Sequence, residues 1–235
     1  MPYIGNDVVN LSDSQARAKS GNIRFLNRVF TQNEQDLICR SIDPDLAVWS
    51  LWAAKESAYK AISKKRIGIT SSPRKYEIKL DSSPRHGFLT GAAITPAEPV
   101  FFNLFSGTDF VHCVAAESRT TLNLILWGME RSDTGCYQRG AFHGFQDESA
   151  TARMAAVSAI AAYLGVKPED VNIRRDRHSG SLCPPVAYLK GERIKGDLSL
   201  SHDLPFIAYA FMPEIGIVPA GGGNNHPSLA RLGFQ

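Results

Sequence analysis

Lys55, Glu56 and Lys60 bring one carboxylate and two ammonium groups together in Trp52-Ala-Ala-Lys55-Glu56-Ser57-Ala-Tyr59-Lys60. Charge placed that way suits an anion or a metal ion if the backbone turns the groups to a common face. From Asp45 to Ile62 the residues Leu46, Trp49, Leu51, Trp52, Ala58, Ala61 and Ile62 follow a 3.6-residue apolar period, which predicts a helix. Glu56 and Lys60 then share one face. An exposed Glu-to-Lys pair at this spacing is also an ordinary feature of solvated helices, worth ~0.2–0.5 kcal/mol, so the pair implies chemistry only in company.

A second carboxylate supplies that company. Asp7 sits in Ile4-Gly5-Asn6-Asp7-Val8-Val9-Asn10-Leu11, a short apolar run that reads as a strand beginning at a glycine. An acid there is costly unless liganded, although a turn or helix-cap carboxylate is the plainer alternative. One Asp from a strand and one Glu from a helix make a Mg²⁺ site, because Mg²⁺ takes few protein carboxylates and completes its shell with water and phosphate oxygens. Far along the chain, Leu198-Ser199-Leu200-Ser201-His202-Asp203 precedes Phe206-Ile207-Ala208-Tyr209-Ala210-Phe211 and reads as a hairpin with hydroxyls and an imidazole at its mouth. Such groups can donate to phosphate oxygens; a polar turn before a buried strand is the bland alternative.

Together the three segments resemble the 4′-phosphopantetheinyl transferase superfamily, whose members carry a G-x-D strand, a W/F-x-x-K-E-x-x-x-K helix and an S-x-S-H turn. Gly5-Asn6-Asp7, Trp52 to Lys60 and Ser199 to His202 match them in turn. Arg24-Phe25-Leu26-Asn27-Arg28-Val29-Phe30-Thr31 with Glu34 also looks like the segment between the first two motifs in the small holo-acyl-carrier-protein synthases. The acids come first and the S-x-S-H turn last, the reverse of the surfactin-synthetase-activating type. Phe110 to Ala116 can be laid against Phe206 to Phe211 as an internal echo. Two similar lobes, 1–118 with the acidic motifs and 119–235 with the Ser-His turn, are therefore expected, with the cleft between them.

The resemblance implies transfer of the 4′-phosphopantetheine arm from coenzyme A to a serine of an apo carrier protein, with release of 3′,5′-ADP. It assigns Asp7 and Glu56 to Mg²⁺, Glu56 to the serine proton, Lys60 to pyrophosphate charge, and Ser201, His202 and Arg153 to the nucleotide end. A solvated helix arginine is the alternative for Arg153, in the helix-like run from Glu148 to Leu164. Val9 stands where the two-lobed type has a glutamate, so two protein carboxylates are expected. The loop 177–185 lacks the family's G-K-P lysine, and no role carries over to it. A binding module that keeps the fold and docks a carrier or nucleotide without transfer is the alternative function.

The elements that must position these groups are expected to form an α+β, pseudo-twofold pair of lobes, each a long helix packed on a small antiparallel sheet. The alternation in Tyr76-Glu-Ile-Lys-Leu80 fits a half-exposed strand, and Gly87 and Gly91 read as flanking a turn or hairpin region. With 235 residues and 43% hydrophobic content the chain can fill such a core. A net charge of +3 excludes a broad nucleic-acid footprint. Local clusters at Lys60, Lys64, Lys65 and Arg66 and at Arg174, Arg175, Arg177 and His178 suit an acidic partner. The four cysteines have no zinc spacing, and Cys39 and Cys113 read as core, as do Trp49 and Trp127. His112 and His143 read as ordinary core or loop residues, and the tail with Gly221 to Gly223 as flexible. No apolar run is long enough for a membrane span and the start lacks a leader pattern, so a cytoplasmic protein is expected. It is expected to be a monomer, since a duplicated chain can complete its own cleft.

Overall fold

The apolar run after Tyr3 folds as strand β1 (Ile4–Asn10), buried at every position. In the computed structural model, which describes residues 2–13, 15–66, 68–82, 88–132, 144–178 and 181–214, three helices follow: α1 (Ile23–Val29), α2 (Gln32–Arg40) and α3 (Pro44–Lys65). Helix α3 starts where Asp43 accepts the Leu46 N–H at 2.9 Å and Pro44 occupies the first turn, both favourable start signals. It extends slightly beyond the expected 45–62 at each end, and Lys64 and Lys65 complement its C-terminus. A capping box between Thr31 and Glu34 opens α2.

Strands β2 (Glu77–Leu80), β3 (Leu89–Ile94), β4 (Val100–Ser106) and β5 (Phe110–Ala116) complete an antiparallel sheet of order β1-β5-β4-β3-β2. Gly91 lies inside β3, in the antiparallel pair of β2 and β3 and not at its turn, where a Cβ would meet the Lys79 carbonyl oxygen at 2.3 Å. Helix α4 (Arg119–Leu122) leads to β6 (Leu126–Arg131), and the long helix α5 (Gly144–Leu164) follows. The short strands β7 (Val171–Arg174), β8 (Arg177–His178), β9 (Ser181–Leu182), β10 (Val186–Leu189) and β11 (Glu192–Arg193) come next. The hairpin of β12 (Gly196–Asp203) and β13 (Phe206–Pro213) pairs with β6 in the order β12-β13-β6.

The apolar clusters define four layers. Helix α3 covers one face of the first sheet through Leu51, Ala54, Ala58 and Ile62. The opposite face, through Ile4, Val8 and Val114, meets Ala208, Ala210 and Met212 of β13. The other face of β13, with Tyr209 and Phe211, packs with Leu198 against Ala156 and Ile160 of α5. The class is α+β, as expected, with two antiparallel sheets back to back between two long helices.

Two side-chain expectations change. Cys113 is buried, but Cys39 is exposed: α2 turns Glu34 and Ile38 inward, and the next residue lies about 100° around the helix. The S-x-S-H segment is not a turn; it lies within β12, and the chain reverses after it at Leu204 and Pro205. His143, Gly87, Cys136 and the glycine run 221–223 lie outside the described residues. Among the described residues no helix is long and apolar enough to cross a membrane.

Candidate active site

Asp7 reaches the site because β1 and α3 are pressed together at Gly5. A Cβ on Gly5 would lie 2.0 Å from the Ser57 carbonyl oxygen and 2.8 Å from the Ala61 nitrogen. Alternation along β1 then turns Asp7 to the same side, under the helix. Lys60 Nζ donates to Asp7 Oδ1 at 2.7 Å and to the Asn6 carbonyl at 3.0 Å. Glu56, one turn earlier on α3, is partly buried. Its carboxyl is pushed up to about 6, first by burial and then by the charge of Asp7, with Lys60 opposing. Two carboxylates thus face one another in low dielectric, and one lysine offsets them only in part.

The second half arrives at this site through a seam of unusual regularity. The N–H groups of Ile4, Asn6, Val8 and Asn10 point away from β5, and each finds a side-chain acceptor two residues further along β12. Ile4 donates to Asp197 Oδ2 at 2.7 Å and Asn6 to Ser199 Oγ at 3.0 Å; Val8 donates to Ser201 Oγ at 2.9 Å and Asn10 to Asp203 Oδ2 at 2.8 Å. Side chains replace the backbone ladder that an edge strand lacks. Ser201 also donates to Asp7 Oδ1 at 3.2 Å, so it holds the catalytic candidate and is itself 4% exposed. The sequence signal for the seam is the period-two polar row Asp197, Ser199, Ser201, Asp203.

Lys64 closes the far end of the seam. Its Nζ bonds both Asp197 oxygens at 2.9 Å and the carbonyls of Ile4 and Leu198 at 2.8 Å. Burial pulls its ammonium down while Asp197 supports the charge. Of the basic cluster, Lys64 is therefore bonded within the interior and Lys60 is half-buried against Asp7, while Lys65 and Arg66 are exposed. Lys55, the other motif lysine, is 1% exposed. Its Nζ lies 2.7 Å from Glu34 Oε1 and bonds the Pro73 and Tyr76 carbonyls. Burial lowers it and Glu34 opposes; its place is structural, pinning α2 to α3.

A cleft of about 410 Å³ opens beside Asp7, lined also by His202, Asp203, Arg28, Trp49 and Trp52. Glu56 and Lys60, beside Asp7, are not among its lining residues. Trp49 and Trp52 contact one another and Phe25, so they form an aromatic floor and not merely core. His202 points from β12 toward α5, where Nδ1 lies 3.0 Å from Glu148 Oε2. Arg153 is set apart from these groups and donates to Ser149 Oγ at 3.0 Å. Burial of Arg175, and then the charge of Arg153, lowers the Arg175 guanidinium. The structure thus brings Asp7, Glu56, Lys60, Ser201 and His202 together across the seam. Glu148, Asp197 and Asp203 belong to the same assembly and had no motif to announce them.

Residues 3–115, which hold β1, α3 and the acid pair, match the family model of the 4′-phosphopantetheinyl transferase superfamily. Over these residues, just under half of the chain, it is similar to that superfamily. The holo-[acyl-carrier-protein] synthase of Protochlamydia amoebophila is 44% identical over 59 residues, which cover 25% of this chain and 48% of the relative. The holo-[acyl-carrier-protein] synthase of Chlamydia caviae is 30% identical over 84 residues, covering 36% of this chain and 66% of the relative. The fatty acid synthase alpha subunit hexA of Dothistroma septosporum is 34% identical over 83 residues, covering 35% of this chain and 5% of the relative. The chain therefore spans about half the length of the Protochlamydia synthase. Within the superfamily match, the G-x-D glycine has its reason in the contact between Gly5 and Ser57.

Proposed function

We propose that the protein is a phosphopantetheinyl transferase that moves the 4′-phosphopantetheine arm of coenzyme A to a serine of an apo carrier protein and releases 3′,5′-ADP. The observation that carries this reading is the coupled pair of Asp7 and Glu56, held against Lys60 and beside a cleft, within residues that match the superfamily. The names of the synthases it resembles point to an acyl carrier protein as acceptor.

Partial burial beside the Asp7 carboxylate raises the affinity of Glu56 for a proton, and the same paired charge favours a cation. Among the described residues there is no cluster of three or more His, Cys, Asp or Glu side chains suited to a metal. A two-carboxylate set fits Mg²⁺, which draws its remaining ligands from water and phosphates. Asp7 and Glu56 would hold it, and when bound it neutralises charge on the pyrophosphate. Lys60 holds Asp7 in place and adds positive charge on the same side. Glu56, with a carboxyl near 6, is matched to accept the serine proton near neutral pH. As the serine oxygen bonds to the β-phosphorus, the bond to the bridging oxygen of 3′,5′-ADP breaks and that oxygen carries the charge away. His202 would donate to phosphate oxygens from β12, Ser201 would keep Asp7 aligned with it, and Arg153 would meet the nucleotide end from α5.

The division into lobes 1–118 and 119–235 around a pseudo-twofold axis belongs to the same proposal. It is supported by the repeated order β1-β5-β4 and β6-β13-β12 and by corresponding registers. Asn10 opposes Phe110 as Arg131 opposes Phe206, and Asp7 opposes Cys113 as Gly128 opposes Tyr209. On that correspondence the second half has no acid at the Asp7 position, so each chain carries one acidic centre and works as a monomer.

Glu56→Ala tests the assignment. Transfer to carrier should fall by at least about 100-fold while carrier binding, followed by calorimetry, survives. Unchanged turnover would remove Glu56 from the mechanism.

A further inference from the structure

Along β12, alternation sends Asp197, Ser199, Ser201 and Asp203 to the β1 seam. Leu198, Leu200 and His202 go to the other side, where the leucines join the apolar cluster of α5. On α5 the buried residues Ala152, Ala156 and Ile160 recur every four positions, and Glu148 is the next position of that row toward the N-terminus. Both apolar rows thus end in a polar residue at the same edge of the interface, and those two residues meet: His202 Nδ1 lies 3.0 Å from Glu148 Oε2, with each side chain about three-quarters covered.

The other acids near the imidazole already have partners. Asp7 is bonded to Lys60 and Ser201, and Asp203 accepts from Asn10. An imidazole whose Nδ1 faces a carboxylate carries a proton there, and its other nitrogen is fixed in direction. His202 lines the cleft beside Asp7, and among the described residues nothing is bonded to its Nε2.

We infer that Glu148 is a positioning residue for His202: it accepts from Nδ1–H on the α5 side and balances the charge of the imidazolium, whose Nε2–H then donates to a phosphate oxygen of the coenzyme in the cleft. The inference rests on the transferase reading and deepens it, because the half that lacks the acid pair then contributes an oriented ligand and not a passive wall. It also gives α5 a task in substrate binding.

Two readouts that need no turnover test it in the full-length protein: imidazole nitrogen correlation spectra, with His202 assigned by comparison with His202→Gln, and calorimetric affinity for 3′,5′-ADP. In the wild type bound to 3′,5′-ADP both ring nitrogens should carry a proton, Nδ1–H on Glu148 and Nε2–H on the phosphate. Glu148→Ala should remove the Nδ1 proton from the bound ring, leaving the neutral Nε2–H form, and weaken 3′,5′-ADP about tenfold, with the KM for coenzyme A rising in step and kcat changing less. His202→Ala should weaken binding at least as much, and the double variant no more than His202→Ala alone. Glu148→Gln keeps the packing and an acceptor, so it should retain the proton on Nδ1 and lose only about threefold; this arm decides the matter if the alanine variant is poorly folded. A bound ring still protonated on both nitrogens in Glu148→Ala, wild-type affinity in Glu148→Gln, or losses that multiply in the double variant would each overturn the inference. Because both readouts are independent of transfer, an intact dyad in a protein that transfers nothing sinks the transferase reading alone. Transfer with ring protonation indifferent to Glu148 sinks the dyad alone.

Discussion

His112 shows how a single residue can be read correctly for its place and yet hide its consequence. It is 1% exposed, lies near the rings of Phe105 and Trp127, and neither ring nitrogen has a hydrogen-bond partner. Burial, with a smaller push from the Lys60 charge, lowers its pKa to about 3. The unfolded chain takes that proton near 6.5 and the folded chain only near 3, so unfolding between those values is accompanied by proton uptake. Stability should therefore fall as pH drops from about 6.5 toward 3. His112→Leu, which leaves no polar atom to desolvate, should flatten that acid limb and gain about 1 kcal/mol at neutral pH. Urea midpoints at pH 4.5 and 7 check this, and an acid limb as steep in the variant as in the wild type would assign the sensitivity elsewhere. Asp7, Glu56 and Lys60 were legible in the sequence because the helical period and a glycine before the acid are local signals. The burial of Lys55 and Lys64 was not: a lysine reads as solvated until the carbonyls that surround it, such as those of Pro73 and Tyr76 or Ile4 and Leu198, are brought up by the rest of the chain.

At the scale of elements, the seam between β1 and β12 explains why serines and aspartates alternate over residues 197–203. An edge strand presents unpaired N–H groups, and here four of them are capped by side chains spaced to match the strand's own repeat. Ser199→Ala removes one acceptor and leaves the buried Asn6 N–H unpaired, at a cost of about 1–3 kcal/mol. Asp7 itself is untouched by that change. Chemical denaturation should show the loss; a midpoint within experimental error of the wild type would mean that water replaces the hydroxyl. The strand β12 and its hairpin partner were legible from their alternation. That the serines bond another strand was not, because the same period-two pattern serves a phosphate cradle and a strand seam equally well. Gly91 could not be placed within its strand pair for a related reason: a glycine required by the close approach of the Lys79 carbonyl is indistinguishable, in sequence, from one required by a turn.

Across the whole molecule, the four layers place the acid pair on one side of the seam and the imidazole on the other, so fold stability and site geometry depend on the same contacts. The ion pair of Lys64 with Asp197 is the clearest case, with side chains only 12% and 15% exposed. Asp197→Ala leaves the ammonium buried without its counter-charge and removes the acceptor of the Ile4 N–H. A loss of about 3–5 kcal/mol is expected, and transfer should decline in parallel with the folded fraction. A variant that keeps full stability while losing transfer would place Asp197 in the chemistry, against the present account. Two long helices and the hairpin of residues 198–211 could be laid out from the sequence, and so could the α+β class. Their back-to-back arrangement could not, since it depends on small residues such as Ala208 and Ala210, which mark a close approach only once the facing strand is known.

The central claim is that this molecule uses Asp7 and Glu56, with a divalent cation, to transfer the phosphopantetheine arm. Intact-mass spectrometry of a panel of apo carrier proteins, incubated with the protein, coenzyme A and Mg²⁺ beside an EDTA control, tests it most directly. A gain of one phosphopantetheine arm on at least one carrier, abolished by EDTA, is the predicted result. A panel left wholly unmodified despite measurable coenzyme A binding would contradict the claim and identify the molecule as a binding module that keeps the fold.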